Sequence, residues 1–205
     1  MKAASYIARL TVLALIASAM VPSCADSRDG WTKEETALIG AGGQTMRVLT
    51  NDIPDDDAVL RQKSLDMTPE MVGSDLYRTL AGKMLTTVTS PEQDGVGIAG
   101  PQVGVLRRVV AVMRYDKPDK PFEVFPNIKI TAFNGETQPG PEGCLSVPGR
   151  RGMVARWQDI DISYISPRTL KDTTENVKGY TAVIFQHECD HLDGILYIDK
   201  LESEE

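Results

Sequence analysis

Only two histidines occur in this chain, and they lie four residues apart in His187-Glu188-Cys189-Asp190-His191. Positions i and i+4 share one face of a helix, so both imidazoles can reach a single metal ion. Glu188, one step round, is placed to hydrogen-bond a water on that ion and serve as general base. Catalytic sites of this type generally use three protein ligands and keep one position open. No third histidine exists, so the remaining ligand is a carboxylate or a thiolate, and Glu142-Gly143-Cys144-Leu145-Ser146 offers Cys144. Gly140, Pro141, Pro148 and Gly149 flank that loop and confine it. The glycines of Gly95-Val96-Gly97-Ile98-Ala99-Gly100-Pro101-Gln102 let backbone approach a ligand closely, but their spacing is not a dinucleotide fingerprint.

Elements must hold these segments in place. Thr32 and Glu35 form a capping box that opens a short helix through Ile39. Residues 46–67 read as extended or irregular, with an acidic turn at Asp55, Asp56 and Asp57. Thr68-Pro69-Glu70 starts a helix, and Val72, Leu76, Leu80, Met84 and Val88 repeat every four residues, predicting one amphipathic core helix over 69–88. Strands are expected at 109–113, 122–133, 153–157 and 160–165. Helical periodicity returns over 179–192, with Gly194 as its cap, and 195–197 reads as a last strand. The fold class is α+β, one domain of antiparallel strands packed around the metal-binding helix.

Composition narrows the function. With 205 residues, 41% hydrophobic and 25% charged, the chain can bury a core. A net charge of −7 argues against a nucleic-acid partner, which needs a basic surface. Three cysteines, Cys24, Cys144 and Cys189, make no disulfide scaffold. Cys189 points away from the histidine face and reads as a buried thiol.

The N-terminus reads as an address. Lys2 and Arg9 bracket a basic stretch, residues 10–21 carry no charge, and small residues follow, as in a secretory signal peptide. Val21-Pro22-Ser23-Cys24 resembles a bacterial lipobox, which would lipidate Cys24 and anchor the protein in a membrane. Ser23-Cys24-Ala25 also suits an ordinary signal peptidase. The expected organisation is a leader at 1–23, a tether and short helix at 24–45, and a catalytic domain at 46–205, delivered to the cell envelope of a bacterium. Losing Lys2 and Arg9 with the leader deepens the acidic bias.

GVGIAGPQ, EGCLS and HECDH, in that order and with HLDGILYIDKL continuing, resemble the peptide deformylase family over residues 46–201. The resemblance implies a hydrolase that removes the formyl group from formyl-methionyl peptides or proteins and releases formate. It makes Cys144, His187 and His191 the metal ligands and Glu188 the acid/base, with the Gln102 amide and the Leu145 N–H holding the oxyanion. It implies an apolar methionine pocket of Val96, Gly97, Leu145, Val183 and Ile184, with Arg151 near the bound peptide. Glu142 matches a supporting acid behind the metal, and Arg156 its ion-pair partner. The resemblance favours ferrous iron; zinc competes, because imidazole and thiolate suit several ions and export exposes iron to oxidation.

Two departures stand out. Gly100 replaces the second alanine of the family loop, a change expected to loosen it. Residues 200–205 are acidic where ribosome-docking members carry a basic helix, so no docking on ribosomes is expected. Two other readings compete: a zincin-type metalloprotease, which would use His or Glu as third ligand, and a non-catalytic module that binds formylated peptides.

Overall fold

The computed structural model describes residues 30–204. The leader and Cys24 lie outside the described residues. None of the described helices is long and apolar enough to cross a membrane.

Helix α1 (Lys33–Gly40) opens with the expected capping box: Thr32 Oγ1 accepts from Glu35 N–H at 3.1 Å, and Glu35 Oε2 accepts from Thr32 N–H at 2.9 Å. The acidic turn at 55–57 is instead the first turn of α2 (Pro54–Leu60). Proline at the first position and three carboxylates facing the helix dipole explain why these residues fold as a helix. Asp56 accepts from Arg47 Nη1 at 2.6 Å and Thr50 N–H at 3.1 Å, and so pins the extended segment before it.

The long helix expected over 69–88 is two helices. α3 (Pro69–Val72) ends at Gly73, and α4 (Asp75–Val88) restarts with Ser74 as its cap, Oγ accepting from Tyr77 N–H at 3.2 Å. A serine that can cap competes with helix continuation, and a fourfold repeat of apolar residues does not register that.

Two antiparallel sheets follow. The first runs β1 (Gly97–Ala99), β2 (Val109–Met113), β3 (Phe122–Pro126). The second has β4 (Lys129–Cys144), β5 (Val147–Ile165) and β6 (Asp172–Lys178) in order, with β7 (Ser203–Glu204) also pairing β5. The strand expected over 122–133 breaks at Asn127, which takes φ +55 and brackets Met67 with its amide. Those expected at 153–157 and 160–165 are one strand, β5. Residues 197–200 make a 3₁₀ turn rather than a strand, and the polar β6 gave no apolar signal.

Helix α5 (Tyr180–Leu192) lies between the sheets, packed on β1 and β2 of one and β5 and β6 of the other. Ala182, Phe185 and Leu192 meet Ala99, Val110 and Val112 on one side and Ile160, Ile162 and Val177 on the other. Enclosure buries polar residues of this helix too, Gln186, Glu188 and His191 among them. The antiparallel strands packed around the metal-binding helix thus stand as read from sequence. On the outer face of the first sheet, α4 lays down Tyr77, Leu80, Met84 and Val88 against Ile98 and Val109.

Arg114, just past β2, fastens the layers. Its buried guanidinium donates to Asp116 at 2.8 and 2.7 Å, to Glu123 beside it at 2.9 Å, and to Glu175 of the second sheet at 3.1 Å. It also lies over the rings of Phe125 and Phe185, at 5.7 and 5.8 Å. Asp116 N–H donates to Thr181 at the start of α5.

Candidate metal centre and active site

Cys144 ends β4, and Cys144 pairs with Val147, so Leu145 and Ser146 form a two-residue hairpin tip. That tip faces α5, where His187 and His191 stand one turn apart with ring centroids 5.1 Å from each other. Cys144 Sγ lies 3.1 Å from His191 Nε2. One ligand atom from each of Cys144, His187 and His191 comes within 4.8 Å of the others. The expected three-ligand set is therefore assembled, from a hairpin and a helix distant in sequence.

The residues behind it set orientation. His187 Nδ1 lies 2.8 Å from Glu142 Oε2, and Arg156 donates to Glu142 through Nε at 2.7 Å and Nη2 at 3.1 Å. Burial alone would raise the Glu142 carboxyl, but His187 and Arg156 overcome it and hold the group at about 2. An ionised Glu142 accepts a hydrogen bond from His187 Nδ1–H and leaves Nε2 for an ion. Burial disfavours charge on His187, yet Cys144 and Glu142 outweigh it and raise its pKa. Burial and the neighbouring His187 push His191 well below its ordinary value.

A thiolate and two imidazoles suit a divalent transition ion. The surroundings fit one as well. Glu188 is 3% exposed, and among the described residues its Oε2 has no partner, nor has the buried Nδ1 of His191. Burial raises the Glu188 carboxyl to about 7. Gly97 makes room for it: a Cβ there would come within 2.9 Å of Glu188 Cδ.

Gln102 sits in the 3₁₀ turn Gly100–Val103, directly after β1. Its Oε1 accepts from Ala99 N–H at 2.8 Å, which fixes the amide so that Nε2 points to Ser146 Oγ at 3.1 Å and Cys144 Sγ at 3.6 Å. The backbone beyond α1 holds both loops: Leu49 N–H donates to Gln102 O at 2.8 Å, and Asn51 N–H to Ser146 O at 2.9 Å.

A cavity of about 690 Å³ opens on this centre. Val96, Gly97, Leu145, Val183, Ile184 and Arg151 all line it, together with Gln102, Glu142, Cys144, His187 and Glu188. Cys189 faces away and is buried, its thiol pushed up to about 12 by that burial. Gly100 does not loosen the loop. A Cβ there would come within 2.7 Å of the carbonyls of Val105 and Arg107, so this turn is packed too closely for alanine.

Sequence reasoning missed three supporting residues. Asp190 accepts from Arg156 at 2.6 Å and Lys200 at 2.7 Å; its place inside HECDH was an available signal. Gln186 brackets the backbone of Trp157, accepting at 3.0 Å and donating at 2.7 Å, which sets α5 against β5 one residue before His187. Tyr180 lines the cavity mouth and stacks edgewise on Tyr115 at 5.1 Å. Nothing in the spacing marked the last two.

A family profile described as polypeptide deformylase matches residues 51–205. The chain belongs to the polypeptide deformylase family. It is 37% identical over 152 residues to the peptide deformylase of Leptospira biflexa, covering 71% of this chain and 83% of that protein. Against the peptide deformylase of a Picosynechococcus strain it is 37% identical over 151 residues, covering 72% and 76%. Among solved structures, the actinonin-bound class I type b peptide deformylase from Acinetobacter baumannii superposes with a TM-score of 0.68 at 31% identity, over 78% of this chain and all of that one. The Thermotoga maritima peptide deformylase gives 0.67 at 30% identity, over 78% and 100%. This deformylase is accordingly a metal-dependent hydrolase, and the protease and binding-module readings are set aside. The match begins at residue 51, after α1 and most of the extended segment that follows it.

Proposed function

We propose that this deformylase hydrolyses the formyl group from peptides or proteins that begin with formyl-methionine, using Cys144, His187 and His191 to hold one divalent ion. The observation that carries the reading is Glu188: a buried carboxylate beside the three ligands, with one oxygen unpartnered and clearance provided by Gly97. A Met-Ala-Ser-bound Acinetobacter baumannii deformylase, 31% identical, supports a peptide beginning with methionine as occupant of the cavity.

A divalent ion held by Cys144, His187 and His191 would polarise a carbonyl and lower the pKa of a bound water toward neutrality. Glu188 is placed to take a proton from an attacking water as the water oxygen bonds to the formyl carbon. Gln102 Nε2 and the Leu145 N–H donate to the oxygen that gains charge, and the Gln102 donor is fixed before substrate arrives. Glu188 then gives its proton to the departing nitrogen. The C–N bond breaks, and formate and a free amine leave. Val96, Leu145, Val183 and Ile184 offer apolar surface to the methionine side chain, with Arg151 beside the peptide at the cavity mouth.

Iron is the favoured ion and zinc the alternative. Formate release from a formyl-Met peptide, measured on protein loaded separately with each ion, tests both the activity and the ion. Loss of release with both would overturn the reading.

We further propose that residues 1–23 direct export, with Cys24 as a lipid anchor. Mass spectrometry of the native N-terminus, after cell fractionation, distinguishes a lipidated Cys24 from ordinary cleavage. A cytoplasmic protein that keeps its first 23 residues would overturn export.

A further inference from the structure

We infer that residues 30–40, which precede the family match, position Gln102 through the ion pair of Glu35 with Arg107. The inference rests on the role proposed above for Gln102. Arg107 is fully buried, and a guanidinium in that state must be paired and hydrogen-bonded. Nη1 has no hydrogen-bond partner among the described residues, and the partners of Nε and Nη2 all come from one short segment. Nε donates to Glu35 Oε1 at 2.6 Å, and Nη2 donates to Glu35 Oε2 at 2.9 Å and to Gly30 O at 2.8 Å. The Trp31 ring lies 5.8 Å from the guanidinium carbon. Trp31 is itself tied to the start of α4 by Nε1 to Ser74 Oγ at 3.3 Å.

The backbone of Arg107 bonds to Val105, the residue that closes the turn carrying Gln102. Val105 N–H donates to Gly100 O at 3.0 Å, and Arg107 N–H to Val105 O at 2.8 Å. The carbonyls of Val105 and Arg107 then form the floor against which Gly100 packs. α1 seals the outer side of the same turn: Ile39 is buried in the core with Val103 and Val105, and Leu38 abuts Gly104. Gln102 leaves the turn on the inner side, toward Cys144. With the Glu35 contact gone, the guanidinium draws away and the turn relaxes. The bond from Ala99 N–H to Gln102 Oε1 is the first catalytic consequence.

The test is Glu35→Gln in the full-length protein, with kcat, KM, metal content and amide exchange at Ala99 as readouts. The expected result is a kcat lower by about tenfold with KM within about twofold, faster exchange at Ala99, and unchanged metal content, since misplacing a catalytic group chiefly slows the chemical step. Glu35→Asp keeps the charge and is expected to fall between. Should the single variant fold poorly, Glu35→Gln with Arg107→Gln removes both charges together and is expected to show the same kcat loss. A folded variant with lower thermal stability but wild-type kcat and wild-type Ala99 exchange would overturn the inference. Gln102→Ala runs in parallel. If it keeps full kcat, the role given to Gln102 fails; if it loses kcat while Glu35→Gln does not, only the positioning by Glu35 fails.

Discussion

His187 Nδ1 sits 2.8 Å from Glu142 Oε2. The same carboxylate takes two hydrogen bonds from Arg156, so the imidazole is oriented by a charge that is itself held in place. Glu142→Gln keeps the shape and removes the charge. Metal affinity should fall about 10–100-fold, as it does when the partner behind a metal-binding histidine is lost. Competition with a graded chelator measures this, and an unchanged affinity would show that the charge of Glu142 is not what orients the ring.

Glu188 is expected to separate chemistry from metal binding. Glu188→Gln preserves the packing against Gly97 but cannot move a proton. Formate release should drop by about 10²–10⁴-fold with metal content unaltered. Turnover within tenfold of wild type would remove Glu188 from the proton-transfer role.

Two glycines three residues apart, Gly97 in β1 and Gly100 opening the 3₁₀ turn, fail for different reasons. Gly97→Ala drives a methyl into the Glu188 carboxylate, so it should cost activity more than stability. Gly100→Ala meets two backbone carbonyls that cannot move aside, so it should cost about 1–3 kcal/mol of stability, the usual range for overpacking. Urea titration of both, alongside their kcat values, checks the split.

The Arg114 cluster makes part of the stability acid-sensitive. Its hydrogen bonds hold the Asp116 carboxyl below the ordinary range. A carboxyl with a depressed folded-state pKa contributes stability that is present above its unfolded value, about 3.9, and disappears as pH falls through the folded one. Arg114→Met should lower stability at neutral pH by about 1.5–3 kcal/mol, the range for hydrogen bonds to charged groups, and flatten the loss below pH ~4. Urea midpoints across the acid range test it; an equally steep acid loss in the variant would exclude Arg114 as the cause.

The chemistry was more legible than the scaffold. Ligand spacing on a helix, a cysteine in a confined loop and glycines beside Gln102 each carry a direct physical meaning, and the three segments do meet. Strand limits were harder to read. β5 is continuous through Gln158 and Asp159 because its partners β4 and β6 supply the pairing, which lies outside any local window. β6, with the sequence DTTENVK, is a strand because β5 beside it needs an edge partner. The break at Ser74 turned on a side-chain cap competing with an apolar stripe. The crowding at Gly100 is invisible in the local sequence because the two carbonyls that cause it come from residues five and seven places on, folded back over it.

Leu49 and Asn51 reach Gln102 and Ser146 from a single stretch of backbone. The glutamine turn and the hairpin tip are therefore not two loops that must find each other when a peptide enters. The conformational entropy of bringing their donors together is lost once, as the chain folds, and not again at each encounter. What a substrate meets is an array whose reorganisation has already taken place.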